Sequence, residues 1–233
     1  MNMTRTAVIA GVGPGLGASI ARKFVAEGCA VGLFARSADF IEDLADELNE
    51  DGEALAVRTD ITDREQVAAG FAEVREAFGP NDVLVNHASG GAWKGLLDLS
   101  DEEFEQALAV GPQGSFHCSQ EAVSDMLDND GGTVIFTGAT SSVRGNEGAL
   151  AFSAGKFAVR GMAESMARDL GPQGIHVAHV VIDGGIRPPD RDVENPDDYL
   201  DPDAIATNYW QLVEQDESAW TLELDLRPHT ETF

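Results

Sequence analysis

Short apolar runs rich in β-branched residues alternate along the chain with longer stretches in which apolar residues recur every three or four positions. Residues 6–10, 30–35, 54–58, 82–86, 133–137 and 175–182 read as strands. The stretches between them predict helices: one from the first glycine-rich turn to Glu27, two ending at Leu48 and Phe78, and two longer ones over 101–127 and 150–170. Strand followed by helix, repeated, is the βαβ rhythm. Strand cores such as Val134-Ile135-Phe136 and Val180-Val181-Ile182 are apolar on both faces, which calls for a parallel sheet covered by helices on each side. A short helix over 204–213 and a last strand over 220–226 end the pattern, and one domain spanning 1–233 accounts for all of it. Only around 188–203 does the rhythm stop. Seven of the fourteen residues from Asp190 to Asp203 are acidic, a composition that suits either a solvated loop or a lid over a ligand.

Charge narrows the picture. There are 41 acidic residues against 15 basic ones, a formal charge of −26, and the excess is spread along the whole chain. Such a surface repels nucleic acids and anionic membranes, so neither is expected as a partner. It has a halophilic character: at molar salt the Debye length falls to roughly 3 Å, and self-repulsion is screened. Cys29 and Cys118 are too few for a disulfide framework and suit a reducing cytosol. No apolar window approaches the length of a membrane span or signal peptide, so a cytoplasmic location is expected.

The first strand runs directly into Gly11-Val12-Gly13-Pro14-Gly15-Leu16-Gly17 and then a helix. Glycines there allow a tight turn and close approach of backbone to a pyrophosphate, and the helix N-terminus favours its charge. The second strand ends in Ala35-Arg36-Ser37. Where an acidic residue would bind the ribose hydroxyls of NAD, Arg36 suits the 2′-phosphate of NADP instead. Further strand ends carry Asp60-Ile61, Asn86-His87-Ala88-Ser89 and Asp183-Gly184-Gly185-Ile186, where open α/β sheets bind ligands. Asp60 also reads as a turn residue, ahead of a capping box formed by Thr62 and Glu65.

Together, Gly11-x-x-x-Gly15-x-Gly17, Asp60-Ile61, Asn86-His87-Ala88-Ser89 and Lys156 resemble the short-chain dehydrogenase/reductase family over nearly the full length. The resemblance implies a Rossmann-type doubly wound sheet of about seven strands with helices on both faces. It also implies an NAD(P) cofactor, here NADP in preference to NAD, hydride transfer at a small carbonyl or alcohol, and a homodimer or homotetramer packed through the two long middle helices. Cofactor contacts carried over are Gly11, Gly15, Leu16, Gly17, Arg36, Ser37, Asp60, Ile61, Asn86, Ala88, Lys156, Gly184 and Ile186, the last reaching the carboxamide through its backbone.

The departures from the family fall on its catalytic groups. Phe152 stands at the position of the active tyrosine, four residues before Lys156; Ala139 stands for the serine and Gly111 for the helix asparagine. The tyrosine would exchange the proton while hydride moves, a contribution of about 10²–10⁴-fold that phenylalanine does not make. Candidate replacements are Thr140 with its neighbours Ser141 and Ser142, His87, which titrates near neutrality when unperturbed, and a water held by Lys156. Asp183 replaces a usual proline, and Pro188 lies near the usual threonine for the carboxamide. His176 and His179 lack partners at metal-ligand spacing and read as packing residues, so no metal is expected. Ser153-x-x-Lys156 matches a hydrolase pattern but reads as a chance offset, and Trp93, Trp210 and Trp220 as core or rim. Two functions remain: a divergent NADP-dependent oxidoreductase, or a catalytically impaired NADP-binding module serving as redox sensor or assembly subunit.

Overall fold

The computed structural model describes residues 4–231. Six strands, β1 (Thr6–Ala10), β2 (Ala30–Ala35), β3 (Glu53–Arg58), β4 (Val83–Asn86), β5 (Gly132–Thr137) and β6 (Ile175–Ile182), alternate with helices. A seventh, β9 (Glu223–Leu226), completes a parallel sheet in the order β3-β2-β1-β4-β5-β6-β9. The helices are α1 (Leu16–Ala26), α2 (Ala38–Leu48), α3 (Arg64–Phe78), α4 (Asp101–Leu108), α5 (Gly114–Asp128), α6 (Leu150–Leu170) and α7 (Pro202–Val213).

Alternation along the strands sorts the core into two layers. Ala7 and Ile9 of β1 face α1, α2 and α7 through Leu16, Ile20, Phe24, Ile41 and Ile205. Val8 and Ala10 face the other way, toward α3, α5 and α6 through Phe71, Val74, Ala122, Met126 and Val159. The result is the doubly wound sheet with helices on both faces. Among the described residues, no helix is long and apolar enough to cross a membrane.

Several boundaries differ from the sequence pattern for identifiable reasons. The stretch 101–127 is not one helix: a π-helical segment, Ala109–Gln113, separates α4 from α5. Pro112 lies inside it, and a residue with no N–H to donate forces the hydrogen-bond ladder to shift. The anticipated Thr62–Glu65 capping box is absent; Thr62 Oγ1 donates instead to Asp60 Oδ1 at 2.8 Å, and Asp63 caps α3 by accepting from the N–H groups of Glu65 and Gln66. Helix α7 begins at Pro202, where Asp201 accepts from the N–H of Asp203 at 3.0 Å. The last strand starts at Glu223, not Trp220, because Trp220 is held in the turn by stacking on His176, centroids 5.0 Å apart.

The acidic stretch is more ordered than a plain loop. Strand β7 (Gly185–Ile186) pairs in parallel with β8 (Tyr199–Leu200), so both ends are tied to one ladder. The N–H of Arg187 donates to the Leu200 carbonyl at 2.9 Å, and its guanidinium pairs with Asp201 at 2.8 Å. Residues 188–198 project from this base, and Pro189 Cδ comes within 3.9 Å of the Cβ position of Gly15.

Candidate functional site

The carboxyl ends of β1 to β4 open onto a cleft of about 430 Å³ lined by the glycine turn, Arg36, Ser37, Asp60, Ile61, His87 and Ala88. Its floor depends on Gly11. That residue holds φ +106, and a Cβ there would lie 2.5 Å from the backbone nitrogen of Ala88. The N–H groups of Gly11 and Val12 both donate to the Phe34 carbonyl, which fixes the turn against β2. Gly17 lets α1 approach in the same manner: a Cβ there would lie 3.1 Å from the Gly11 carbonyl oxygen.

At the far end of the cleft Arg36 is exposed, and among the described residues its guanidinium enters no ion pair. Arg58 stands beside it, donating from Nε to the Arg36 carbonyl at 3.1 Å. The Ser37 hydroxyl makes no cap bond to α2 and is available to a ligand. Asp60 Oδ1 is occupied by the N–H and hydroxyl of Thr62.

Not every residue anticipated in the cleft lines it. Leu16, the first residue of α1, has its side chain buried in the core, so only its backbone could meet a ligand. Gly184 and Ile186 lie at the base of the acidic segment: a Cβ on Gly184 would meet Pro228 at 2.9 Å, while Ile186 pairs with Leu200.

A second, narrow space of about 10 Å³ adjoins the cleft at Ala88 and Ser89, with room for about one water. Asn86, Ser115, Gly111, Phe152 and Lys156 border it. Lys156, only 6% exposed, donates from Nζ to the Thr137 carbonyl at 2.7 Å and lies 5.5 Å from the centre of the Phe152 ring. Burial pulls its pKa down from 10.5 to about 8. Asn86 gives its Nδ2 to Ser119 Oγ at 3.1 Å, but among the described residues its buried Oδ1 has no partner. Asn86 and Lys156 both border this space, so a water in it would have polar side chains on two sides. Gly111 leaves this space open where the resemblance calls for an asparagine; its Cβ position meets nothing closer than 4.0 Å.

The other candidate proton donors fare differently. Thr140 donates its hydroxyl to Asp183 Oδ1 at 2.6 Å, and that carboxylate is also approached by Arg144 at 3.7 Å and Arg227 at 3.3 Å. The hydroxyl is therefore committed, a consequence of the Asp183 departure. Ser141 and Ser142 are buried. His87 does not titrate near neutrality: burial first, then the Lys156 charge, pull its pKa down to about 4. Its Nδ1 meets Thr137 Oγ1 at 3.1 Å, which meets the Tyr209 hydroxyl at 2.8 Å. Neither Thr137 nor Tyr209 stood out in the sequence, where one is a strand residue and the other an aromatic on an amphipathic helix. Trp93 lies at the rim, 70% exposed, its ring 5.2 Å from that of Phe152.

Among the described residues no cluster of His, Cys, Asp or Glu could hold a metal ion. His176 is engaged by the carbonyls of Leu212 and Thr221, and His179 by Glu223.

Known proteins place this architecture. The short chain dehydrogenase family model matches residues 5–195. A 3alpha-hydroxysteroid dehydrogenase of Mediterraneibacter gnavus is 30% identical over 180 residues, covering 76% of this chain and 72% of that protein. A short-chain dehydrogenase structure from Rhodopseudomonas palustris, 33% identical, superposes with a TM-score of 0.84 over 97% of this chain and 99% of the other. The alcohol dehydrogenase of Thermococcus sibiricus, solved with 5-hydroxy-NADP, gives a TM-score of 0.89 at 26% identity over 98% of both chains. With a glycine turn closed on Ala88 and a lysine buried beside it on a seven-stranded parallel sheet, this chain belongs to the short-chain dehydrogenase family.

Proposed function

We propose that the chain is an NADP-dependent oxidoreductase acting on a small carbonyl or alcohol substrate, with Lys156 holding the proton that the missing tyrosine would have exchanged. The observation that carries this is the pairing of an unengaged Arg36 at one end of the cleft with a buried Lys156 beside the other. The Thermococcus sibiricus relative carries an NADP derivative, in keeping with an arginine suited to a 2′-phosphate. Arg36 and Ser37 would hold that phosphate, Ile61 and Asp60 the adenine, and the backbone of the glycine turn the diphosphate.

Bound there, the nicotinamide would supply the hydride chemistry. The chain supplies the proton. Lys156 spends one N–H on Thr137 and directs its charge at the Phe152 face, which leaves an N–H for the one-water space shared with Asn86 Oδ1. An ammonium with a pKa of about 8 is still protonated at neutral pH yet releases its proton far more readily than an exposed lysine. NADPH oxidation with a panel of aldehydes, ketones and enones in high salt tests this. Turnover should depend on Lys156, disappear in Lys156→Ala, and decline as pH rises through about 8. Undiminished turnover in Lys156→Ala would end the proposal.

One observation favours the second reading, a nucleotide-binding sensor or assembly subunit. Phe152, itself partly exposed, packs beside Trp93 and Gly91, whose Cβ position lies 2.9 Å from Phe152 Cβ, so an inert ring among apolar neighbours occupies the family's tyrosine position. Phe152→Tyr separates the two. An oxidoreductase with a preserved pocket gains turnover, toward the roughly 10²–10⁴-fold that proton transfer contributes; a sensor site gains none, and NADPH instead changes its oligomeric state or partner affinity.

A further inference from the structure

The hydrogen bonds behind the cleft have a direction. The Tyr209 hydroxyl is fully buried, and among the described residues its one partner is Thr137 Oγ1 at 2.8 Å. A buried phenol with a single partner donates to it, since the reverse leaves an O–H unsatisfied at a cost of about 1–3 kcal/mol. Thr137 Oγ1, having accepted that proton, turns its own hydrogen toward His87 Nδ1 at 3.1 Å. His87 Nδ1 is then an acceptor without a proton, and the ring's hydrogen resides on Nε2.

Nε2 points away from this chain of bonds. It has no partner among the described residues and is not sealed from solvent. The ring lines the cleft, and its Cδ2, bonded to Nε2, lies 3.4 Å from the Cβ position of Gly17 in the first turn of α1. That is the helix end where the glycine turn would receive a diphosphate.

We propose that Tyr209 and Thr137 lock His87 in the Nε2–H tautomer, so that the ring acts as a neutral, fixed hydrogen-bond donor to a diphosphate oxygen of the bound dinucleotide. The proposal rests on the dinucleotide reading of the cleft. In the free protein, burial and then the nearby Lys156 charge hold the ring's pKa down at about 4, which favours the neutral ring that the tautomer assignment describes. Tyr209, on a helix that follows the lid, is on this account a positioning residue.

Long-range proton–nitrogen spectra of histidine-labelled protein in high salt, with His87→Gln to assign the resonance, read the tautomer directly. The expected result is a bare Nδ1 and a protonated Nε2 in the free protein. NADP⁺ should shift the Nε2–H signal, and adenosine 2′-monophosphate, which carries no diphosphate, should not. Thr137→Val and Tyr209→Phe should mix the tautomers and weaken NADP⁺ binding by roughly 3–10-fold, the range expected for one hydrogen bond, with adenosine 2′-monophosphate binding unchanged; Thr137→Ser should behave as the parent. A proton on Nδ1, or a His87 signal unmoved while NADP⁺ binds, would overturn the assignment even if both variants misfold. Wild-type titration failing to detect NADP⁺ binding at all would instead remove the dinucleotide reading, and this inference with it.

Discussion

Lys156 concentrates the conflict between stability and chemistry in a single side chain. A buried ammonium pays a desolvation penalty that its bond to Thr137 and its place at the Phe152 face offset only in part, and the lowered pKa records the balance. Linkage gives the sign. The folded form titrates near 8 and the unfolded near 10.5, so between these values the unfolded chain binds more protons and stability rises with pH. Lys156→Met should abolish that rise and raise the melting temperature below pH 8 while removing turnover, by about 2–4 °C for each kcal/mol recovered. Thermal melts of both proteins from pH 7 to about 10.5 check it; parallel curves would show that the lysine is not desolvated. The sequence made Lys156, Phe152 and Arg36 visible because their chemistry is unusual for their positions. It did not expose the capture of Thr140 by Asp183 or the suppression of His87 titration, since both depend on side chains that meet only when β4, β5, β6 and α7 are assembled.

At the scale of elements, strands were the legible part, because their apolar runs are bounded by glycine, proline and acidic residues. Helix boundaries were harder to read where one residue alters the ladder, as Pro112 does between α4 and α5. The short β7–β8 ladder was invisible, since two-residue strands carry no periodicity. That ladder bears on whether the acidic segment acts as a lid. Arg187 and Asp201, 2.8 Å apart, clamp the base from which residues 188–198 project toward Gly15. The pair is about two-fifths exposed on each side, so its loss alters stability little. Arg187→Ala should leave the melting temperature within about 1–2 °C and raise the dissociation rate of NADPH by several-fold, measured by stopped-flow fluorescence. An unchanged rate would mean that the lid does not cover the ligand.

For the whole molecule the governing quantity is charge. With 41 acidic residues and 15 basic ones, most arginines are drawn into pairs, as in Arg22–Glu47, Arg160–Glu223 and Arg75 with both Glu121 and Asp125. The remaining carboxylates repel one another across a surface that dilute buffer screens poorly. Melting temperature should climb steadily as potassium chloride rises from about 0.1 M to molar levels, where the Debye length shrinks from about 10 to about 3 Å. A flat or falling curve would remove the halophilic reading. Phe116 on α5 and Phe157 on α6 stay 47% and 44% exposed, apolar surface on the helices through which a dimer or tetramer is proposed to form. The same shortage of cations leaves just three lysines, with Lys23 held by Glu27 and Lys94 by Glu103. Among its lysine side chains, an amine-reactive tag therefore meets two guarded surface amines and one sheltered amine of unusually low basicity, Lys156, and mapping by mass spectrometry how fast that third position acquires the tag would turn the scarcity of lysine into a built-in gauge of site occupancy.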